Sequence, residues 1–331
     1  MKKLLFVFFT FAIVFASGDV ALAQLNRKNV KKNNKRIANY KGRKTGFGKE
    51  KRYNAFGFSI NALNYYGDLA PRPQRISTDI SFTRPGLGIS LAHRFGPRYT
   101  IIGQFMFGTL RGSDNESADK NDLENGIFRY QRNLSFRNQI KELSVVAVFD
   151  LFDNQSTYIS RVRWTPYAFL GAAGFLSQPK AQSPTGEWIN LKPLGTEGQY
   201  SDLLPTDVNY GIKPYSIIQL AIPFGIGARL RLTEVLDFSA DIGFRYTFTD
   251  YIDDVSQNYV DLGVLKSDLA RQMSYRTSEL GTLTKPQTYT GRDGQSYTVQ
   301  AGYGSEYVEN LRGSKNDREI YMVTSFRISY I

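Results

Sequence analysis

The stretch Leu236-Asp237-Phe238-Ser239-Ala240-Asp241-Ile242-Gly243-Phe244-Arg245-Tyr246-Thr247-Phe248 alternates without a break. Its even positions are apolar, and its odd positions are small, hydroxylated or charged. A period of two belongs to a strand with two unlike faces. Aspartates and arginine on the polar face are too costly for a soluble core, yet they suit the lumen of a barrel whose other face meets lipid. A tilted strand crosses a bilayer in about 9–11 residues, and this run is long enough.

Seven further segments share the pattern. They lie near 54–66, 85–95, 98–110, 138–151, 163–176, 215–232 and 319–331. In the first, Phe56, Phe58 and Ile60 oppose Gly57, Ser59 and Asn61. In the segment over 215–232, Leu220, Phe224 and Ile226 oppose Gly225, Gly227, Arg229 and Arg231. The segment over 98–110 is imperfect, because Ile102 and Met106 stand on its polar face. Connections between segments alternate in length. Gly96-Pro97, Asp153–Ser156 and Thr233-Glu234 are short, whereas 67–84, 111–135, 177–214 and 250–318 are long. Short periplasmic turns and long external loops mark an outer-membrane barrel. The expected fold is therefore all-β: an eight-stranded antiparallel up-and-down transmembrane barrel over 54–331, in contact with outer-membrane lipid. An even strand number places both termini on the short-turn side, so the N-terminus is expected in the periplasm.

The opening residues set the compartment. Lys2 and Lys3 precede an apolar run from Leu4 to Phe15, and Ala21-Leu22-Ala23 offers a small-residue cleavage site. This is the pattern of a secretory signal peptide over 1–23. The run is shorter than the roughly 20 residues of a spanning helix. Between Leu25 and Tyr53 stand twelve Lys or Arg and one acid, which account for +11 of the net charge of +12. The signal segment contributes +1, so the remainder of the chain is neutral. Residues 24–53 are expected to form a basic, unstructured periplasmic arm, since they hold too few apolar side chains to fold alone. The arm is either a solvated tether or a binding element for an acidic partner or anionic lipid head groups, with Lys31, Lys32, Lys35 and Arg36 as its densest cluster. Nucleic acid is no partner for an exported arm.

The chain contains no Cys, which removes disulfides, thiolate metal sites and a Cys nucleophile. Its single His, His93, shares parity with Leu91 and Phe95 beside the Gly96-Pro97 turn. That position suits an interface, whereas a hydrolytic base belongs in an outer cleft. No catalytic residue and no cofactor are expected. Asp250, Asp253 and Asp254 have oxygen ligands spaced for Ca²⁺, although a solvated rim that ends the strand is the simpler reading. On the polar faces, Arg231 is expected opposite Asp237, with Arg229, Asp241 and Arg245 completing a lumenal ion-pair network. An eight-stranded barrel is just wide enough for side chains to fill, so a plugged lumen is expected. Leu262, Leu265, Leu269 and Met273 recur at helical spacing and predict a short helix in the last long loop.

The string Arg245-Tyr246-Thr247-Phe248-Thr249-Asp250-Tyr251-Ile252-Asp253-Asp254-Val255-Ser256 resembles a signature of Bacteroidota outer-membrane barrels, a family that includes the type IX secretion component PorG. Supporting matches, in order, are Tyr65-Tyr66-Gly67-Asp68-Leu69, Leu134-Ser135-Phe136-Arg137, Pro166-Tyr167-Ala168-Phe169, Tyr259-Val260-Asp261 and Arg312-Gly313. The resemblance covers about residues 54–331. It implies an eight-stranded barrel without enzymatic activity, associated with the periplasmic secretion ring of a PorK-like lipoprotein and its PorN-like partner subunit. Two rival functions compete with it. One is an adhesion or ligand-binding barrel acting through its external loops, and the other is an outer-membrane hydrolase dependent on His93 or Asp250.

Overall fold

The computed structural model describes residues 47–70, 80–123, 126–281, 283–315 and 318–331. The signal segment and the Lys31, Lys32, Lys35 and Arg36 cluster lie outside the described residues. Among the described residues twelve strands follow in chain order: β1 (Tyr53–Tyr66), β2 (Arg84–Arg94), β3 (Tyr99–Ser113), β4 (Ser135–Asp150), β5 (Trp164–Leu176), β6 (Pro179–Gln182), β7 (Trp188–Asn190), β8 (Ile218–Arg231), β9 (Leu236–Thr247), β10 (Pro286–Thr290), β11 (Ser296–Gln300) and β12 (Ile320–Tyr330). Eight of them form the barrel in the order β3-β2-β1-β12-β9-β8-β5-β4, and β3 pairs with β4 to complete the ring. Every barrel neighbour is antiparallel. Closure runs from Phe56↔Tyr330 to Tyr66↔Ile320, so the first and last strands leave no edge. A span in lipid requires this, because an unpaired backbone group in hydrocarbon costs several kcal/mol.

The strand alternation reads directly as burial. In β4 every second residue from Phe136 to Asp150 is buried, and each one between is exposed. The outward set forms a continuous apolar surface that includes Phe56, Phe58, Ile60, Leu87, Ile89, Leu91, Ile101, Val145, Leu220, Ile226, Ile242, Phe326 and Ile328. A soluble protein rarely exposes so large an apolar area. With the closed ring it identifies a transmembrane barrel of the outer-membrane type. Aromatic side chains gather at the short-turn end: Phe95 stacks on Tyr99, Tyr99 meets Phe149, and Phe152 packs edge-on against Trp164. Such a girdle is where amphipathic rings meet the headgroup level.

Inside, the barrel has two storeys. The turn-side half holds charged and hydroxyl groups around a shelf of Ile102, Val146, Val148 and Tyr167. Gly225 and Gly243 leave space for the Phe169 ring, whose Cζ would stand 2.7 and 2.6 Å from a Cβ at those positions. The loop-side half is an apolar core that includes Leu63, Met106, Leu110, Phe136, Ile140, Phe175 and Tyr321. The sequence pattern marks Ile102 and Met106 as breaks in alternation, and both are in fact interior residues. A plugged, charge-paired lumen is the sequence expectation; ion pairs do occupy it, and apolar packing seals most of the loop-side half.

β4 and β5 are joined by residues 151–163, which contain the modest 153–156 turn segment expected between them. The long connections are folded. β6 and β7 extend the barrel sheet beyond β4, while β10 and β11 form a separate hairpin. The helical repeat at 262–273 resolves into a 3-10 turn at Leu262–Val264 and an α-helix, α3, at Asp268–Ser274. Ser267 caps α3 by accepting from the Ala270 N–H. Two earlier short helices, α1 (Asp114–Ser117) and α2 (Gly126–Arg132), lie between β3 and β4.

Ile89 sits opposite Phe58 and Phe105 at mid-strand on the lipid face. Ile89→Arg is expected to destabilise the folded barrel by about 2–4 kcal/mol, the cost of an outward arginine near the bilayer midplane. A urea titration of folding into phosphatidylcholine vesicles would measure this. An unchanged midpoint would contradict a lipid-facing position.

Candidate functional site

Two regions carry the polar chemistry of the barrel: the charged lumen and the folded cap over the loop end. In the lumen, Arg94 from β2 binds Asp150 at the end of β4 at 2.7 Å, and Arg229 from β8 reaches the same oxygen at 3.2 Å. Arg245 binds Glu142 at 3.3 Å, and the Tyr321 hydroxyl donates to the same carboxylate at 2.6 Å. Asp241 accepts from the Tyr167 hydroxyl at 2.9 Å and lies 3.8 Å from Arg327. Arg327 also donates to Gln104 at 2.9 Å.

All five residues expected in the network are therefore in or at the lumen, with different partners. Arg231 does stand opposite Asp237 in register. Asp237 is nevertheless taken by Arg161, which comes from the β4–β5 connection and binds it at 2.6 Å. The Arg231 guanidinium instead donates to the carbonyls of Ile159 and Arg161. Arg229 pairs with Asp150 and not with Asp241. Strand register fixes which Cα atoms face each other, but a long side chain settles on the partner that completes its desolvated geometry. Arg94, Glu142, Asp150 and Arg327 all have inward parity in their strands, a signal available in the sequence. Arg161 lies in an aperiodic connection and offered none.

Two small spaces near the turn end, of about 10 and 30 Å³, are lined by Tyr53, Arg94, Arg229 and Asp237 in common. They have room for about one or two waters.

The cap is built on the string 245–256. Ile252 is fully buried and its carbonyl accepts from Asn138 at 2.7 Å, tying the end of β9 to β4. Asp254 has a left-handed backbone, φ 71°, a conformation Asp tolerates better than most residues. Its carboxylate accepts from the Thr196 hydroxyl at 2.5 Å and the Tyr215 hydroxyl at 2.6 Å, and it lies 3.7 Å from Arg312. Arg312, itself 1% exposed, binds Glu197 at 2.9 Å. The same Glu197 oxygen accepts from the backbone N–H groups of Ser256 and Gln257. Arg132 of α2 binds Asp114 with two nitrogens at 2.8 and 2.9 Å and donates to the carbonyls of Asp68 and Arg312. Arginines 132 and 312 thus join residues from each of the four long connections. Above this lock, Val260, Leu262, Leu265, Ala270, Tyr275, Val299 and Tyr303 form a second apolar core within the loops.

The three aspartates expected at a rim are buried or half-buried. They do not converge: Asp253 turns to Tyr65 of β1, and Asp254 turns to Arg312. Among the described residues no group of three or more acidic or His side chains is arranged to hold a metal ion. Tyr65 donates to Asp253 at 2.7 Å and also contacts Glu319. A phenol has one proton, so its second close contact calls for a proton on a carboxyl group. Burial raises both acids above the ordinary carboxylate range, reinforced by Asp68 at Asp253 and by Asp253 at Glu319. Burial also pushes Asp250 up to about 9, and pushes Asp254 up to about 6 against the opposing pull of Arg312. His93 is exposed on the outer surface at the turn end and bonds Asn54 at 2.6 Å, far in the strand from the acids of the cap.

Residues 47–181 match a family described as a domain of unknown function, DUF6089. No curated protein matches the chain in sequence. Among solved structures it is similar to Neisserial surface protein A, with 8% identity, TM-score 0.35, and coverage of 84% of this chain and 97% of that one. It is also similar to a major outer membrane protein of Thermus thermophilus, with 12% identity, TM-score 0.35, and coverage of 84% and 99%. OprG of Pseudomonas aeruginosa gives 9% identity, TM-score 0.34, and coverage of 86% and 98%.

Removing Arg312 leaves Glu197 without its buried cation, a loss of about 3–5 kcal/mol. Arg312→Ala is expected to open the loops to protease between 196 and 311 while the barrel keeps its resistance to heat in detergent. The raised carboxyls also give the cap a pH dependence. They bind protons in the folded state, so their contribution is complete below the ordinary carboxyl value of about 4. It is lost as pH rises through the folded values of about 6 at Asp254 and about 9 at Asp250. Amide exchange in the 252–319 region, corrected for intrinsic rate, should show stronger protection at about pH 5 than at about pH 9. Glu319→Gln should flatten that difference, and an opposite slope would contradict the assignment.

Proposed function

We propose that this chain is a non-enzymatic outer-membrane barrel of a type IX protein secretion apparatus, with its N-terminal arm in the periplasm beside the secretion ring. The observation that carries the reading is the string 245–256. Its residues resemble the PorG-containing family, and they also form the centre of the cap. Two physical features support it. The lumen is filled by ion pairs and, toward the loops, by packed apolar side chains, so the barrel serves better as an anchor than as a conduit. The arm carries nearly all of the net positive charge, which speeds docking on an acidic surface and makes it salt-sensitive. The partners in this reading are the ring lipoprotein and its companion subunit, of PorK and PorN type.

One observation favours a second reading, adhesion through the loops. Tyr210, Tyr307, Val308 and Leu311 are exposed on the cap. They are grouped around Asn258, which bonds the Val308 carbonyl, accepts from Asn209 and bridges Leu311.

Affinity purification of tagged protein from membranes in mild detergent separates the two. Recovery of the ring lipoprotein and its partner, reduced by neutralising Lys31, Lys32, Lys35 and Arg36 or by raising salt, is the expected result. Recovery of the barrel alone at low salt would sink the secretion reading. If function were then lost on trimming residues 256–315, the loops would be the working surface.

A further inference from the structure

On the outward face of the barrel, Arg111 of β3 stands directly opposite Arg137 of β4, and Arg137 stands directly opposite Lys180 of β6. Three cations are thus aligned across three adjacent strands. Like charges in directly opposed positions destabilise a sheet. Lys141 lies on the same outward parity of β4, nearer the membrane and opposite Phe107 and Leu176. Phe82 lies under the Arg111 guanidinium at 5.8 Å and Trp188 under that of Arg137 at 5.5 Å, so both groups are held against rings. One carboxylate answers the row: Glu116 binds Arg111. Among the described residues no carboxylate forms an ion pair with Arg137, Lys141 or Lys180.

The position of the row identifies what it faces. Moving down β4 from Arg137, the outward side chains are Gln139, Lys141, Leu143 and Val145. Leu143 and Val145 are about half exposed, at 50% and 46%, and neighbouring Phe107 is 40% exposed. Lys141 and Leu143 are about 7 Å apart along the strand. The same face therefore passes from Arg137 through Gln139 and Lys141 to apolar side chains, in the order of a headgroup above its acyl chains. We propose that the outward surface of β3, β4 and β6 seats an anionic lipid of the loop-side leaflet. Its phosphate is held by Arg137, Lys141 and Lys180, and its acyl chains lie along Phe107, Leu143 and Val145. Guanidinium gives the phosphate a planar pair of donors, and the lysines supply point charges on stems long enough to snorkel. The apolar stretch below distinguishes a lipid from free phosphate, which would gain nothing from it.

The test uses full-length protein in nanodiscs of phosphatidylcholine containing a minor fraction of phosphatidic acid, followed by release into mild detergent and native mass spectrometry. Wild type is expected to retain one phosphatidic acid per barrel. The triple variant Arg137→Gln, Lys141→Gln, Lys180→Gln should retain at least tenfold less, with phosphatidylcholine retention equal in both proteins. The double variant Lys141→Gln, Lys180→Gln changes only lysines that are free of ion pairs among the described residues. It should show most of the loss if the triple variant folds poorly. A loop control, Lys213→Gln with Lys266→Gln, should bind as wild type does. Equal phosphatidic acid retention by wild type and the double variant would overturn the proposal. So would displacement of the lipid by inorganic phosphate at equal concentration, which would make the row a site for the free anion.

Discussion

In hydrocarbon no water is available to satisfy a backbone N–H or C=O, so every such group in a spanning sheet must find a strand neighbour. The pairing of β1 with β12 from Phe56↔Tyr330 to Tyr66↔Ile320 meets that constraint, and much else follows from it. A closed ring of eight strands has a narrow interior, and it must be filled by the inward half of each strand. The inward residues cannot all be large, hence the glycines of β8 and β9 around Phe169. They cannot all be charged either, because each buried charge needs a partner within reach.

The barrel divides that interior by depth. Near the turns, Arg94, Arg161 and Arg229 each meet a carboxylate, and two water-sized spaces lie among them. Toward the loops the interior becomes an apolar core around one buried set, Glu142 with Arg245 and Tyr321, and the loops close over it with a lock of Arg132 and Arg312. Arg161 shows how the halves differ in origin. Strand alternation supplies most of the lumenal charges, but a connection supplies this one, and it displaces Arg231 from the carboxylate facing it in register.

The barrel strands were legible because period-two alternation is imposed locally, by lipid on one side and lumen on the other. Their ends in the structure lie within a few residues of the run boundaries. The pairings inside the lumen were less legible. Parity places Arg229 and Asp241 in the interior but says nothing about how far a guanidinium reaches. The loops were the least legible. Asp253 and Asp254 read as a hydrated rim, since nothing in a local window shows that Tyr65, Tyr215 and Arg312 arrive from distant segments to bury them. The string around them and the isolated Arg312-Gly313 pair were the one hint, and Gly313 is explained by closeness: a Cβ there would lie 2.6 Å from the Ser256 nitrogen.

The burial of acids in the cap bears on how firmly the long connections are held. A loop region meant to change partners by refolding would be held by few and exposed contacts. Here two arginines, a phenol between two carboxyls and a second apolar core fix the long connections to the barrel and to one another. The cap is therefore a rigid surface whose exposed features are set by the fold. The charge imbalance of the chain lies instead in the segment before β1. The fixed surface of the cap is thus a product of packing among distant segments, whereas the polybasic segment is a property of composition alone.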